Sequence, residues 1–491
     1  MEILQIAALI ACFVIMALLM FLRKLPALVA LPVMAVAIAL IGGVSPADTV
    51  QYVVGAGALK LSTAYTIAML GSMLSVLLQK TGVAENFIKR GAELSGDNPW
   101  IIAVIMLSLI TLLFTTLGGL GAIIMVATIV LPIMTSVGIG PMTTVGIFLF
   151  GLSMGGLMNA GNWAVYLGVM GLTIDQIRPF ALIMFAISFV TALIYITIQL
   201  YRDGHNLNIK RIALSSIAGL LVLGAIAYYY IVWCPPDVRG ALQSGAGLIG
   251  IGLQWIAGIG IGALVVTAVI RILMRRNEQA HEAHWTSFFA PAIPLFLILI
   301  FNVDIIASFV VGFIYTFLAT YRKGRLSTLI QSLFDGGALA MPAVVLMFGI
   351  GMLLVAIMGP GIKLAAYPNG WPVLAILRPL MAQIVPTNPW MYVAVFTLAA
   401  PLALYRGPLN VWGMGYGLAA VFLASGLNPG AVMGLLLGVG PIQGISDPTN
   451  THNVWLANEM RVDVQKVLWN TIVYTWPLAC LGLICSALVF M

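Results

Sequence analysis

Apolar runs recur along the chain near 3–22, 25–43, 61–80, 141–158, 178–200, 212–233, 246–270, 305–321, 342–358 and 467–489. A membrane-spanning helix needs about 20 such residues, or about 17 at the short end. Each run therefore predicts a crossing, and a shorter run at 287–301, before "FNVDII", predicts one more. Two stretches, 99–137 and 389–427, are apolar but broken near their middles by Gly, Thr, Pro or Arg, which predicts hairpins. The runs ending at Asn159 and near Ser446 each meet a polar break and then continue, which predicts interrupted helices.

Composition agrees with this pattern. The 491 residues are 62% hydrophobic and 8% charged, against about 25% charged in a soluble domain. The mean hydropathy is +1.10. The chain reads as an integral, multi-pass membrane protein whose main solvent is the lipid bilayer. Its net charge of +7 then concerns topology, and nucleic acid is not an expected partner. If Arg23 and Lys24 face the cytoplasm and each hairpin returns to its own side, sixteen Lys and Arg fall in cytoplasmic loops. Five fall outside, and Arg406 stays within a hairpin. The N-terminal segment has an acid before its apolar run and bases after it, the reverse of a secretory signal, so a retained first helix is expected. Cys12, Cys234, Cys480 and Cys485 have no metal-ligand spacing. A bacterial inner membrane is the expected location.

The chain also resembles itself. "DNPW" at 97–100 returns as "TNPW" at 387–390, "GLMNAGN" at 156–162 lines up with "GISDPTN" at 444–450, and "TIDQIR" at 173–178 with "RVDVQK" at 461–466. From Gly138 to Lys466 these matches hold one offset of 288 residues. The predicted layout is an N-terminal helix (1–24), a first repeat (25–200), intervening helices (201–304) and a second repeat (305–491). Counting crossings makes the second copy upside down. The expected fold is thus an all-α polytopic membrane protein with two inverted-topology repeats, each holding a re-entrant hairpin and a broken transmembrane helix. That is the architecture of secondary transporters.

A helix that stops inside hydrocarbon leaves N–H and C=O groups without partners, at several kcal/mol each. Breaks survive where they line a cavity or bind a ligand: N-terminal ends suit carboxylates, C-terminal ends suit cations. Four such places stand out. They are "TTLGG" at 115–119, "NAGN" at 159–162, "YRGPLN" at 405–410 and "DPTNTHN" at 447–453. Arg406 could grip a substrate carboxylate with its fork of donors; pairing with Asp447, or reaching to the membrane surface, are the alternatives. Asp447 could hold or exchange the coupling cation. His452 is read as a hydrogen-bonded lining residue or a proton relay. Asn159 and Asn162 could equally cap a kink. Asp175/Arg178 and Asp463/Lys466 read as interfacial ion pairs or caps, and Asp335 as a helix-end or loop residue.

With these features the chain resembles the ion transporter superfamily of secondary carriers, which takes in citrate–metal symporters and gluconate permeases. "TTLGGLGAIIMVATIVLPIM" followed by "GIGPMTTVGIFLFGLSMGGLMNAGN" is similar in layout to their hairpin and broken helix. The resemblance implies substrate-binding hairpin tips at Thr115, Thr116, Gly118 and Gly119, and at Arg406, Gly407 and Asn410. It implies broken-helix positions at Asn159 and Asn162, and at Asp447, Thr449 and Asn450. The paired Ser-Asn-Thr motifs of the sodium/dicarboxylate carriers are absent. The resemblance also implies a homodimer.

The expected function is secondary active transport of a small organic anion, a carboxylate, driven by a proton or sodium gradient through alternating access. His452 joins the substrate-binding set, and Asp447, Asn159 and Asn450 form the expected coupling-ion set. No catalytic residue and no cofactor is expected beyond the coupling ion. A cation/proton antiporter on the same fold is the alternative; it would need acids at the breaks. A membrane-embedded metalloenzyme is disfavoured because His205, His281, His284 and His452 do not gather with acids.

Overall fold

A computed structural model of the protein describes residues 2–22, 24–93, 96–205, 236–274, 284–321, 326–386, 388–411 and 415–491. Among these residues the chain is all helix and turn, with no strand. Among the described residues, eight helices are long and apolar enough to cross a membrane, or nine if the bent pair Pro141–Leu157 and Ala160–Met170 counts as one span. The protein is a multi-pass, all-helical membrane protein.

The repeated sequence signals recur as repeated local structure. In "DNPW" the Asn98 side chain accepts from the N–H groups of Trp100 (2.9 Å) and Ile101 (3.3 Å), with Pro99 in the first helical position. In "TNPW" Asn388 accepts from Trp390 N (2.9 Å) with Pro389 placed likewise. Both are N-caps, in which a side-chain oxygen meets an orphan N–H and proline meets a position that needs none. The last helix of each copy is also capped. Gln176 accepts from Thr173 N ahead of Ile174–Arg202, and Asp463 accepts from Gln465 N (2.8 Å) ahead of Val464–Phe490. Asp175 and Arg178 form the expected ion pair, 2.9 Å apart.

The helices sort into two bundles. In the first, Ala27–Ile41 and Ser62–Lys80 pack along Leu326–Met358, flanked by Ile305–Ala319. Its crossings are close: a Cβ on Gly336 would overlap the Met73 backbone, and one on Gly57 would meet Met352 Cα at 2.8 Å. The second bundle holds the hairpins and broken helices. Pro99–Phe114 packs on Pro141–Leu157, Pro429–Pro441 on Val464–Phe490, and Pro389–Ala399 on that same closing helix. The bundles meet at several places, among them two helix pairs and the contact of Gly119–Ser136 with Ser62–Lys80. The helix Ala160–Met170, after the first break, lies on Ser62–Lys80, and Tyr416–Ala424, the return arm of the second hairpin, lies on Leu326–Met358.

Three expectations change. The run at 342–358 is the second half of Leu326–Met358. Asp335, expected at a helix end or in a loop, sits inside that helix and pairs with Lys80 of Ser62–Lys80. Ser332 and Gly336 face the neighbouring helix, so the polar residues interrupt the apolar run without interrupting the helix. The run at 287–301 divides into a tight turn, Trp285–Phe289, and a nine-residue helix, Ile293–Phe301. At 1.5 Å per residue that helix is about 13.5 Å long, under half of the ~30 Å of hydrocarbon. The crossing expected at 212–233 lies outside the described residues.

Candidate functional site

Each hairpin turns beside the break of its own copy, and one side chain ties the two together. In the first copy the tie is Asn159, the N-cap of Ala160–Met170. Its amide donates to the Phe114 carbonyl at the hairpin tip (3.2 Å), and its oxygen accepts from Gly161 N (2.9 Å). In the second copy the residue 288 positions on is Asp447. It is fully buried. One carboxylate oxygen accepts from Tyr405 N (3.0 Å), Thr449 N (2.9 Å) and the Thr449 hydroxyl (2.7 Å); the other accepts from Arg406 N (3.4 Å) and the Asn410 amide (3.3 Å). Each side chain suits the tip it meets, because an amide donor faces a carbonyl in the first copy and a carboxylate faces N–H groups in the second.

The second tip is bent to present those N–H groups. Tyr405 and Arg406 both take left-handed backbone angles, φ 54° and 57°, which cost energy in residues with a side chain. Five donors on Asp447 offset that strain and the expense of a buried charge. A Cβ on Gly407 would run into the Leu402 carbonyl, so glycine alone fits there.

The polar residues after each break satisfy the carbonyls left by the helix before it. Asn162 donates to Gly156 O (2.8 Å) and Trp163 to Leu157 O (2.8 Å). In the second copy Asn450 donates to Gln443 O, His452 Nε2 to Gly444 O (3.3 Å), and Asn453 to Ile445 O (3.0 Å) and Asp447 O (2.9 Å). The carbonyl partner places the proton of a neutral His452 on Nε2 and leaves Nδ1 as an acceptor. Ser446 joins Thr471 and Thr475 in a buried hydroxyl cluster, 2.8 Å to each. These bonds account for much of the polar content of both breaks, since each would otherwise expose orphan groups in hydrocarbon.

Two cavities adjoin at the breaks. One, of about 330 Å³, lies under the first tip and is lined by Thr116, Gly118, Gly119, Asn159, Asn162 and Ser72, among others. The second, of about 220 Å³, lies between the two breaks and is lined by Asn162, Asn450, His452, Gln443, Tyr166 and Tyr416, among others. Ile123, Leu152, Gly156 and Asn162 border both. Among the described residues, no Lys, Arg, Asp or Glu lines either one. Thr115 is buried behind the first tip. Arg406, Gly407, Asn410 and Thr449 gather around Asp447 and line neither cavity. The Arg406 side chain is exposed, and its contact with Asp447 is through the backbone N–H.

Sequence reasoning missed several lining groups. Gln443 lines the second cavity while its oxygen accepts from Val411 N (2.7 Å). Tyr166 and Tyr416 both line that cavity and touch each other, with ring centres 6.1 Å apart. Gln443 and Ser72 carried a signal, each a polar residue inside an apolar run; the tyrosines carried none. Among the described residues, no three His, Cys, Asp or Glu side chains converge as metal ligands.

No family model matches the sequence, and no curated protein matches it. Among solved structures, the fold is similar to that of the YdaH transporter of Alcanivorax borkumensis. The TM-score is 0.51 at 14% identity, over 90% of this chain and 88% of that one. A fainter likeness, with a TM-score of 0.43 at 12% identity over 91% and 84% of the two chains, is to Neisseria gonorrhoeae MtrF, described with a class of antimetabolite efflux pumps. At these identities the first likeness shows the fold, and the second carries no argument.

Proposed function

We propose that the protein is a secondary active transporter for a small organic anion, with the substrate held in the joined cavities at Asn162. The supporting observation is the site's electrostatics. The first cavity is open at the start of the helix Gly119–Ser136: a Cβ on Gly118, Gly119 or Gly121 would meet no atom within 4 Å. Free N–H groups and the positive helix end there suit a carboxylate. The second tip has its own carboxylate in Asp447, whereas the first has the neutral Asn159, which leaves that charge to the substrate. Substrate recognition in this reading rests on neutral donors, with Arg406 outside the site.

Coupling follows from Asp447. A proton or sodium ion on its carboxylate competes with the three donors of the second tip, Tyr405 N, Arg406 N and the Asn410 amide, so cation binding loosens that hairpin. The hairpin bundle then moves against the helices around Leu326–Met358, in alternating access between two inverted repeats. An antiporter would need acids lining the cavities, and none lines them. The test is uptake of labelled mono- and dicarboxylates into proteoliposomes under an imposed proton or sodium gradient. Gradient-driven accumulation of a carboxylate is expected. Cation-dependent proton flux with no carboxylate uptake would overturn the proposal in favour of antiport.

A further inference from the structure

Away from the breaks, a groove of about 540 Å³ opens among the described helices, beside the apolar span Gly250–Leu273. Its walls are Pro236–Leu273, the short helix Ile293–Phe301 and the start of Ile174–Arg202. Along Pro236–Leu273 the lining runs from Gly250 and Leu253 through Gln254, Ala257, Gly260 and Ile261 to Leu264, and is apolar apart from Gln254. The ten helical steps from Gln254 to Leu264 rise about 15 Å, half of the ~30 Å hydrocarbon thickness. The slot beyond Gln254 is therefore about as long as one leaflet is deep.

Its polar groups are gathered at one end. Arg178 donates to Leu299 O (3.3 Å), to the Asn302 side chain and to Asp175 (2.9 Å). These bonds occupy three of the five guanidinium N–H donors and leave two. The Asp175 carboxylate is 72% exposed, against 24% for Arg178. Gln254 donates to Ile300 O at the same end (2.9 Å). The mouth thus carries a cation and an anion side by side, above an apolar slot one leaflet deep.

We propose that this groove binds a phospholipid with a primary ammonium headgroup, phosphatidylethanolamine in chemistry. The phosphodiester takes the two remaining donors of Arg178, and the ammonium, two carbons away, meets Asp175. An acyl chain fills the slot as far as Leu264. A glycerol head places the same phosphodiester on Arg178 but brings no cation to the Asp175 carboxylate beside it. A choline head has no N–H to donate to the carboxylate. The bound lipid lies where Ile174–Arg202 meets the helix Ile293–Phe301, a contact that Arg178 also makes directly through Leu299 O and Asn302.

The test is native mass spectrometry of the purified full-length protein with equal amounts of phosphatidylethanolamine, phosphatidylglycerol and phosphatidylcholine bearing the same acyl chains. The expected result is retention of phosphatidylethanolamine several-fold above the other two. Asp175→Asn, at an exposed position, should abolish the preference over phosphatidylglycerol. Gly260→Phe should lower retention of all three, because a side chain there enters open groove. Equal retention of the three lipids by the unmodified protein would overturn the proposal, as would an unchanged preference in Asp175→Asn. A dimer that excludes lipid from the groove would overturn it too, by making the groove an interface between copies.

Discussion

Asn159 and Asp447 occupy corresponding positions and do corresponding work with opposite hydrogen-bond polarity. Asp447→Asn keeps one acceptor but turns an amide N–H toward backbone donors. The expected loss is about 1–3 kcal/mol, the usual cost of a buried polar group left without a partner. Thermal unfolding in detergent measures it, and uptake assays should show transport that no longer follows the ion gradient. Unchanged stability and unchanged ion dependence would remove Asp447 from both roles. Arg406→Ala, by contrast, should leave substrate affinity within about twofold and stability within about 0.5 kcal/mol, since the side chain is exposed and lines neither cavity. The sequence pointed to Asp447 and Arg406 together because both are charges in an apolar setting. It could not show that the contact runs through the Arg406 N–H, because that depends on two left-handed residues in succession.

The two hairpin tips make different demands on their glycines. Gly407→Ala pushes a methyl group into the Leu402 carbonyl and should cost about 1–3 kcal/mol by overpacking. Gly118 has extended backbone angles, φ −157° and ψ 165°, and open space around it. Gly118→Ala should therefore leave the unfolding temperature near that of the parent while lowering substrate affinity, because the methyl group enters the cavity. Equal effects on stability from both changes would contradict this assignment of the tips. The hairpins and breaks were legible as elements because Gly, Pro, Asn and Asp interrupt long apolar runs there. The first half of Leu326–Met358 was not, because Gln331, Ser332 and Asp335 face a neighbouring helix and its Lys80 rather than a turn. Nor was the wide helical turn Thr49–Ala56, whose residues carry no local signal for it.

The described helices form two bundles, and transport in this account requires them to move against each other. At one meeting point a Cβ on Gly168 would lie 3.8 Å from Leu61 Cα. Cysteines at 61 and 168, in a background lacking the native four, are close enough for a disulfide. Oxidation should stop transport and reduction should restore it; full transport by the cross-linked protein would show that these surfaces stay together. Composition alone made the membrane class plain, because no soluble core is 62% hydrophobic with 8% charge. The cavities depend on how six or more helices converge, which no single stretch of sequence encodes.

The central claim is that an anion sits beside Asn162, the polar side chain common to both cavities. The most direct measurement is the substrate affinity of Asn162→Asp in proteoliposomes. Two like charges 4 Å apart repel by about 4 kcal/mol at an effective dielectric constant of ~20, and about 1.4 kcal/mol is tenfold in affinity. The account predicts that carboxylate affinity falls by a hundredfold or more while the protein still inserts and folds. Unchanged carboxylate affinity, or the appearance of cation transport with normal turnover, would contradict it.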